Sequence, residues 1–354
     1  MGFFNRPGRG ADAAATRERE QVDTIIERVL QLHPQLRLAR RYRQQLAPAV
    51  AGALAYARGL IDAVPAAREA SAAAWADDPY IHAWFAAPDD VAAALSRSAA
   101  LRACFLHHGD ATQAYAVLGM AMSERHILGV AQEGETLRRE VPQTTLSFSD
   151  HQVRLCERGE AELRAEIVLR LLDQLALAGL AHSAADKSHR DALERERALL
   201  KTRLQLLERQ GTGIRTVLGS EATADSGELA RLADQLQENA RGLADLGQRE
   251  DALERALEHV RAVFAQPQQY LSVSTRRVRL DRMNVLLAPD SPCAGADLDL
   301  RIARVPGVQG MPGVPGVPPR ERAFSLVRFA RAELLPEKSM FEEAAQQLAS
   351  GSWS

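Results

Sequence analysis

The chain has 354 residues, 46% hydrophobic and 25% charged, and its 44 Lys/Arg nearly balance its 46 Asp/Glu for a net charge of -2. That is enough chain for two or three ordinary cores, and it lacks the overall field that would steer it to nucleic acid or an anionic membrane. Three widely spaced cysteines, Cys104, Cys156 and Cys293, exclude a disulfide framework, have no metal-ligand spacing and suit a reducing compartment.

Residues 1–16 read as an unstructured tail without the apolar core of a signal peptide. No continuous run of about 18 apolar residues follows, so no membrane span and a cytoplasmic location are expected. From Arg17 to about Met122 apolar residues recur at helical spacing: Ile25, Val29, Leu32, Leu36 and Leu38, then Val50, Leu54, Ala57 and Ile61, then Val91, Leu95, Leu101 and Phe105. The low aromatic content, 5%, and the many alanines agree with helix, where Ala loses no side-chain entropy. Pro34, Pro48, Pro65, Pro79 and Pro88 divide the stretch, with Asp89 and Asp110 at N-cap positions. We therefore expect a helical domain over 17–125, with Met120 and Met122 in a helix core. His107-His108 is read as a helix C-terminus, since adjacent histidines face different ways and no third ligand is evident.

Near Ser123 the pattern changes. His126–Gln132 and Thr136–Val141 flank Glu133-Gly134-Glu135 as a hairpin, and Thr144–Phe148 alternates like a strand. Ser149-Asp150-His151 contains catalytic residue types, but a triad is assembled in space and not in consecutive sequence. No enzymatic role is expected, and no cofactor or metal. Glu157–Leu180 returns to helix, with Leu163, Ile167, Leu171 and Leu175 on one face.

Residues 186–266 carry the strongest pattern. Leu193, Leu200, Leu207 and Ile214 fall seven apart; Leu229, Leu236, Leu243, Leu257 and Phe264 share a second seven-residue register, and Leu232, Leu246, Leu253 and Val260 its complement. This a/d repeat predicts an antiparallel coiled-coil hairpin, with its tip at Gly219–Gly227, a weak point at Gly211-Thr212-Gly213 and a polar core position at Asn239. Residues 186–215 hold 8 Lys/Arg and 5 Asp/Glu, and residues 221–261 hold 5 and 10, so the arms have opposite charge. Leu199, Leu204, Leu206, Val217, Leu218 and Val263 widen the apolar stripe beyond one seam. Two readings of that surplus stand: a second copy covers it, giving a dimer or tetramer, or the N-terminal helices do. Asn239 sets register in the first reading and otherwise sits at a solvated edge.

After Pro267 strands are expected at Tyr270–Ser274, Val278–Leu287, Leu298–Val305 and Phe324–Leu335, with a Val-Pro-Gly loop over Val305–Pro319 and a tail over 337–354. Residues 269–335 hold 10 Arg and 6 Asp/Glu without interleaved stacking aromatics, so nucleic acid is not expected. Strands over 126–152 and 269–336 would close one small barrel, making 153–268 an insertion. The fold class is then α+β and mostly helical: an N-terminal helical domain and a small barrel split by a long helical hairpin.

The run Arg277–Leu287, then Gly295–Ile302, then Phe324–Arg328, resembles the strand order of a PilZ domain, a bacterial cyclic-di-GMP receptor. Arg138-Arg139-Glu-Val-Pro-Gln143 resembles that family's RRxxxR segment, with Gln143 at the last Arg. Arg279, Asp281 and Asn284 fall where its (D/N)xSxxG segment is expected. The resemblance implies an atypical member with a degenerate ligand site, since neutral Gln cannot replace the charged guanidinium fork. It also implies a signalling adaptor, with cyclic-di-GMP and a protein as partners beside a second copy of the chain. A coiled-coil scaffold without nucleotide is the other reading.

Overall fold

The computed structural model describes residues 9–133, 136–218, 226–248, 251–291, 293–305 and 320–336. They form an α+β, mostly helical chain with one seven-stranded sheet, and they divide into two units. A helical unit takes residues up to Leu54 and Leu172–Pro267; a sheet unit takes Ala55–Leu171 and strands after Gln268. Each interrupts the other in sequence. The helices expected to form one domain over 17–125 are therefore shared between the two.

In the helical unit, α1 (Arg9–Leu32) buries Val22, Ile25, Ile26, Val29 and Leu30, which lie on one face of a 3.6-residue helix. The expected tail over 1–16 is corrected here: helix begins at Arg9. A 3-10 turn, Pro34–Leu38, leads into α2 (Tyr42–Asp62), which runs through Pro48. Proline there removes one hydrogen bond, but Leu46, Val50, Ala53 and Leu54 are buried around it, and that burial holds the helix together.

The helices expected over 157–180 and from 186 onward are a single 59-residue helix, α7 (Glu160–Leu218), which continues through Gly211-Thr212-Gly213. Helix α8 (Ser226–Asp245) runs back along it: Arg203 pairs with Glu228 at 2.6 Å, and Asn239 Nδ2 donates to the Leu193 carbonyl at 2.9 Å. The return arm breaks at Gly247, which has φ +69, and resumes as α9 (Ala252–Ala265). Arg190 donates to the carbonyls of Leu246 and Gly247 at 2.7 and 2.6 Å, satisfying groups the helix end leaves open. At the base α9 lies so close to α7 that a Cβ on Gly179 would meet Val260 Cα at 2.7 Å.

In the sheet unit, β1 (Arg68–Glu69) precedes four short helices: α3 (Ala72–Asp77), α4 (Pro79–Trp84), α5 (Pro88–Ser96) and α6 (Ala99–His107). Strands β2 (Gln113–Glu133) and β3 (Thr136–Glu157) form a long antiparallel hairpin. After the insertion come β4 (Ser272–Leu280), β5 (Leu286–Leu287), β6 (Ala296–Val305) and β7 (Arg320–Ala330). The order is β3-β2-β7-β6-β4-β5, with β1 parallel to β7. Ile81, Trp84, Val91, Leu95, Leu101 and Phe105 cover one face over Ala114, Ala116, Leu118, Met120, Leu298, Leu300 and Phe329. Val64 and Leu163 pack on Leu326 in a smaller second cluster.

Several expectations change here. Residues 113–122 are strand and not helix, and the alternation of buried Ala114, Ala116, Leu118 and Met120 is the reason. Met120 is thus a sheet-core residue. Asp110 lies in the turn before β2; at α5 the N-cap is Ala87, whose N–H donates to Asp90 at 3.1 Å. The strand expected over Val278–Leu287 is divided by a turn at Asp281–Asn284, while the strand expected at Tyr270–Ser274 runs on into β4. The sheet is open: its two ends touch at one bridge, Thr145 to Val285, beside a Leu146 N–H to Asn284 carbonyl bond of 2.9 Å. The loop over 306–319 and the tail over 337–354 lie outside the described residues.

By length and composition alone, part of α7 is apolar enough to cross a membrane, contrary to the expectation from uninterrupted runs. Leu163, Val168, Leu172, Leu175 and Ala176 of that stretch are buried within the chain, and Asp173 is paired with Arg28 at 2.5 Å. A helix that supplies core side chains to both units passes the same compositional test.

Candidate ligand site and assembly surface

The turn between β4 and β5 gathers three of the residues singled out in the sequence. Asp281 Oδ1 accepts the N–H groups of Met283 and Val285, both at 2.8 Å, which locks the turn. Asn284, at the position where the resembled motif has glycine, has φ +58. Asn tolerates this left-handed region better than most residues. Its Nδ2 donates to the Ala83 carbonyl at 2.9 Å, anchoring the turn to α4. The Arg279 guanidinium donates to the carbonyls of Pro289 at 2.8 Å and Cys293 at 3.4 Å, so it pins the following loop. All three are engaged in holding the chain's own backbone.

Gln143 lies on β3 opposite Ile127, two residues from the Thr145 bridge, and its side chain covers Gly129. Arg138 and Arg139 lie further along the same strand; Arg138 is opposite Ala131. Their side chains are outside the described residues. Six residues of strand from Arg139 to Thr145 span about 20 Å. The fold thus places Gln143 beside the turn and sets the two arginines well away from it.

The heptad residues separate into two groups. At the base, Leu257, Val260 and Phe264 are fully buried, and Val263 nearly so. They belong to the helical unit's own core, where α9 meets α7 and the Pro34–Leu38 turn, and they offer nothing to a second copy. This corrects the expectation that they lie at an oligomer interface. Further out, Leu193, Leu200, Leu207, Leu229, Leu236, Leu243, Leu246 and Leu253 are half-buried, and Leu232 is buried. Asn239 is 4% exposed and also donates to Glu196 at 3.0 Å, so it cross-links the arms and is not at a solvated edge. Leu199 is 72% and Leu206 54% exposed. Ile214, Val217 and Leu218 lie outside the described side chains.

Other chemistry-bearing groups have structural partners. His107 ends α6 and His108 caps it. His151 bonds the Trp84 carbonyl at 2.8 Å and stacks on Phe85, while Asp150 accepts from Arg322 and Gln152. Among the described residues, no hydrogen bond joins Ser149 to His151. A polar cleft of about 320 Å³ beside α6 holds Cys104, His107, His108 and Cys156. Burial pushes the Cys156 thiol up to about 12 and the Cys104 thiol upward as well, so neither is a thiolate near neutral pH. Among the described residues no group of three His, Cys, Asp or Glu is placed to hold a metal. The Gly179–Val260 approach and the Arg190 cap escaped the sequence reading, because each joins residues far apart in the chain.

No protein-family model, curated protein or solved structure matches the chain.

Proposed function

We propose that this protein is a non-enzymatic adaptor that self-associates through the outer part of the α7–α8 rod. The observation that carries the proposal is the pair Leu199 and Leu206, exposed two turns apart on the same face of α7. Half-buried Leu200, Leu204 and Leu207 border them. The two arms already satisfy one seam between themselves, so a stripe of leucines on the outside calls for a second apolar surface. A two-fold copy of the same rod provides it, with each stripe facing its own equivalent. Asn239 then acts in the register of the two arms, where its buried Nδ2 reaches the Leu193 carbonyl and Glu196 only in the correct alignment.

Within that reading the chain is an atypical PilZ-like protein of bacterial cyclic-di-GMP signalling, serving surface behaviour such as motility or pili from the cytoplasm. The strand order around β4, β6 and β7 and the left-handed Asn284 support it. A scaffold without nucleotide is the second reading. The internal bonds of Arg279, Asp281 and Asn284, and the distance of Arg138 and Arg139 from them, favour it.

Light scattering on the intact chain tests self-association: a dimer or larger species is expected at micromolar concentration, and a monomer refutes it. Titration with cyclic-di-GMP separates the two readings. Saturable binding that is lost on substituting Arg138 and Arg139 together supports the receptor-like one, and absence of binding leaves the scaffold.

A further inference from the structure

Strand β7 changes partner along one edge. On one side it stays with β2 from Gln113↔Ala330 to Met120↔Ala323. On the other it pairs with β6 from Val305↔Arg320 to Arg301↔Phe324, and then with β1 at Arg68↔Val327 and Glu69↔Arg328. Ser325 and Leu326 lie between the two partners. At this gap the structure leaves a cavity of about 20 Å³, walled in part by Arg68, Tyr80, Trp84, Asp299, Arg301 and Ser325. That volume exceeds the roughly 10–15 Å³ that one water needs, so a single monatomic ion fits as well.

Two of these wall residues carry a buried N–H without a partner: Nε1 of Trp84, which is 4% exposed, and Nε of Arg301. Both groups only donate. The neighbouring charges are matched: Arg68 pairs with Asp78 at 2.8 Å and stacks on Tyr80, and Asp299 pairs with Arg277 at 3.0 Å. Arg301 donates its Nη1 to the Thr275 hydroxyl and has no carboxylate partner among the described residues. The cavity therefore combines two orphan donors, one of them on a half-exposed guanidinium without a carboxylate partner among the described residues, and room for a single small particle. Water would accept both hydrogen bonds, but it would leave the charge unmatched and need acceptors for its own protons.

We propose that this cavity is a binding site for one halide-sized anion, held by the Trp84 indole N–H and the Arg301 guanidinium. The anion would join α4 to β6 at the point where β6 leaves β7. Bromide is the probe. Crystals of the full chain grown or soaked in bromide are expected to show an anomalous peak within hydrogen-bond distance of Trp84 Nε1 and Arg301 Nε. In solution, thermal unfolding at constant ionic strength is expected to show a saturable rise in Tm with chloride or bromide over gluconate. Trp84→Phe keeps the ring but removes the donor, and should weaken the halide response about tenfold; Arg301→Gln should abolish it. A water without anomalous signal at saturating bromide overturns the proposal, as does a halide response that both variants retain. If a variant does not fold, the bromide position in the wild-type chain decides alone.

Discussion

Arg331 adds to the His108 cap in closing the end of α6. Its guanidinium donates to the carbonyls of Phe105, His108 and Ala111 at 2.7, 2.6 and 2.8 Å and lies over the Phe105 ring. Helix C-termini leave such carbonyls open, and a charged donor satisfies them more strongly than a neutral one. Arg331→Ala is expected to lower unfolding stability in urea by about 2–3 kcal/mol, and Arg331→Lys to recover less than half, since an ammonium cannot fork across three carbonyls. His151 makes a pH-dependent contribution. Burial holds its imidazole below the ordinary value, despite the bond to Trp84. The unfolded chain therefore binds a proton that the folded chain refuses. Stability from this site is intact above about pH 6.5 and falls as pH drops through the lowered folded pKa. His151→Gln keeps a donor for Trp84 but does not titrate, so it should lose less stability than the wild type between about pH 7.5 and pH 5. Among the thiols, exposed Cys293 should alkylate rapidly at about pH 8 while Cys104 and Cys156 lag, as timed mass spectrometry would read. Of the candidate ligand residues, Asn284 was the most legible, because its tolerance of positive φ is intrinsic to the residue. The bonds of Arg279 to Pro289 and Cys293 depend on how the loop folds back, and nothing local announces them.

Two glycines in helices show how an element's own preference competes with its neighbours. Gly52 in α2 has open space where a Cβ would go, whereas Gly179 in α7 has Val260 Cα at 2.7 Å. Replacing glycine by alanine inside a helix normally gains about 0.5–1 kcal/mol. Gly52→Ala should show that gain in thermal or urea unfolding. Gly179→Ala should instead lose about 1–3 kcal/mol, the usual cost of overpacking, because backbone and not a flexible side chain stands in the way. The same competition explains β2. Its alanines favour helix by propensity, yet period-two burial against α6 and β7 overrides them. The heptads of α7 and α8 were legible because periodicity is a property of the segment. The break at Gly247 had a local sign in Leu246-Gly247, since glycine favours the left-handed residue after a helix.

In the molecule as a whole, α2 and α7 each pass from one unit into the other, so neither unit is continuous in sequence. Exposed large apolar side chains are scattered over both units, and on the outer rod the described ones are Leu199 and Leu206. Leu199→Glu with Leu206→Glu places charge on that stripe without touching a buried residue. Light scattering should then show the assembly shifting to monomer, while circular dichroism remains helical. An oligomeric mass left unchanged by the two substitutions would refute this stripe as the contact surface.

Most helical and strand segments outside residues 113–122, the heptad registers, the β-hairpin and the suitability of Asn284 for its turn were legible in the sequence alone. All of these follow from backbone preference and from the spacing of apolar residues, which are local. Which apolar residues of the heptad region are core and which are surface was settled by packing against distant segments. Phe264 and Leu206 both carry large apolar side chains in the heptad region, yet Phe264 is fully buried and Leu206 faces solvent. Periodicity fixes which face of a helix is apolar; what covers that face depends on distant segments, such as Gly179 admitting α9, or β1 and β6 sharing one edge of β7.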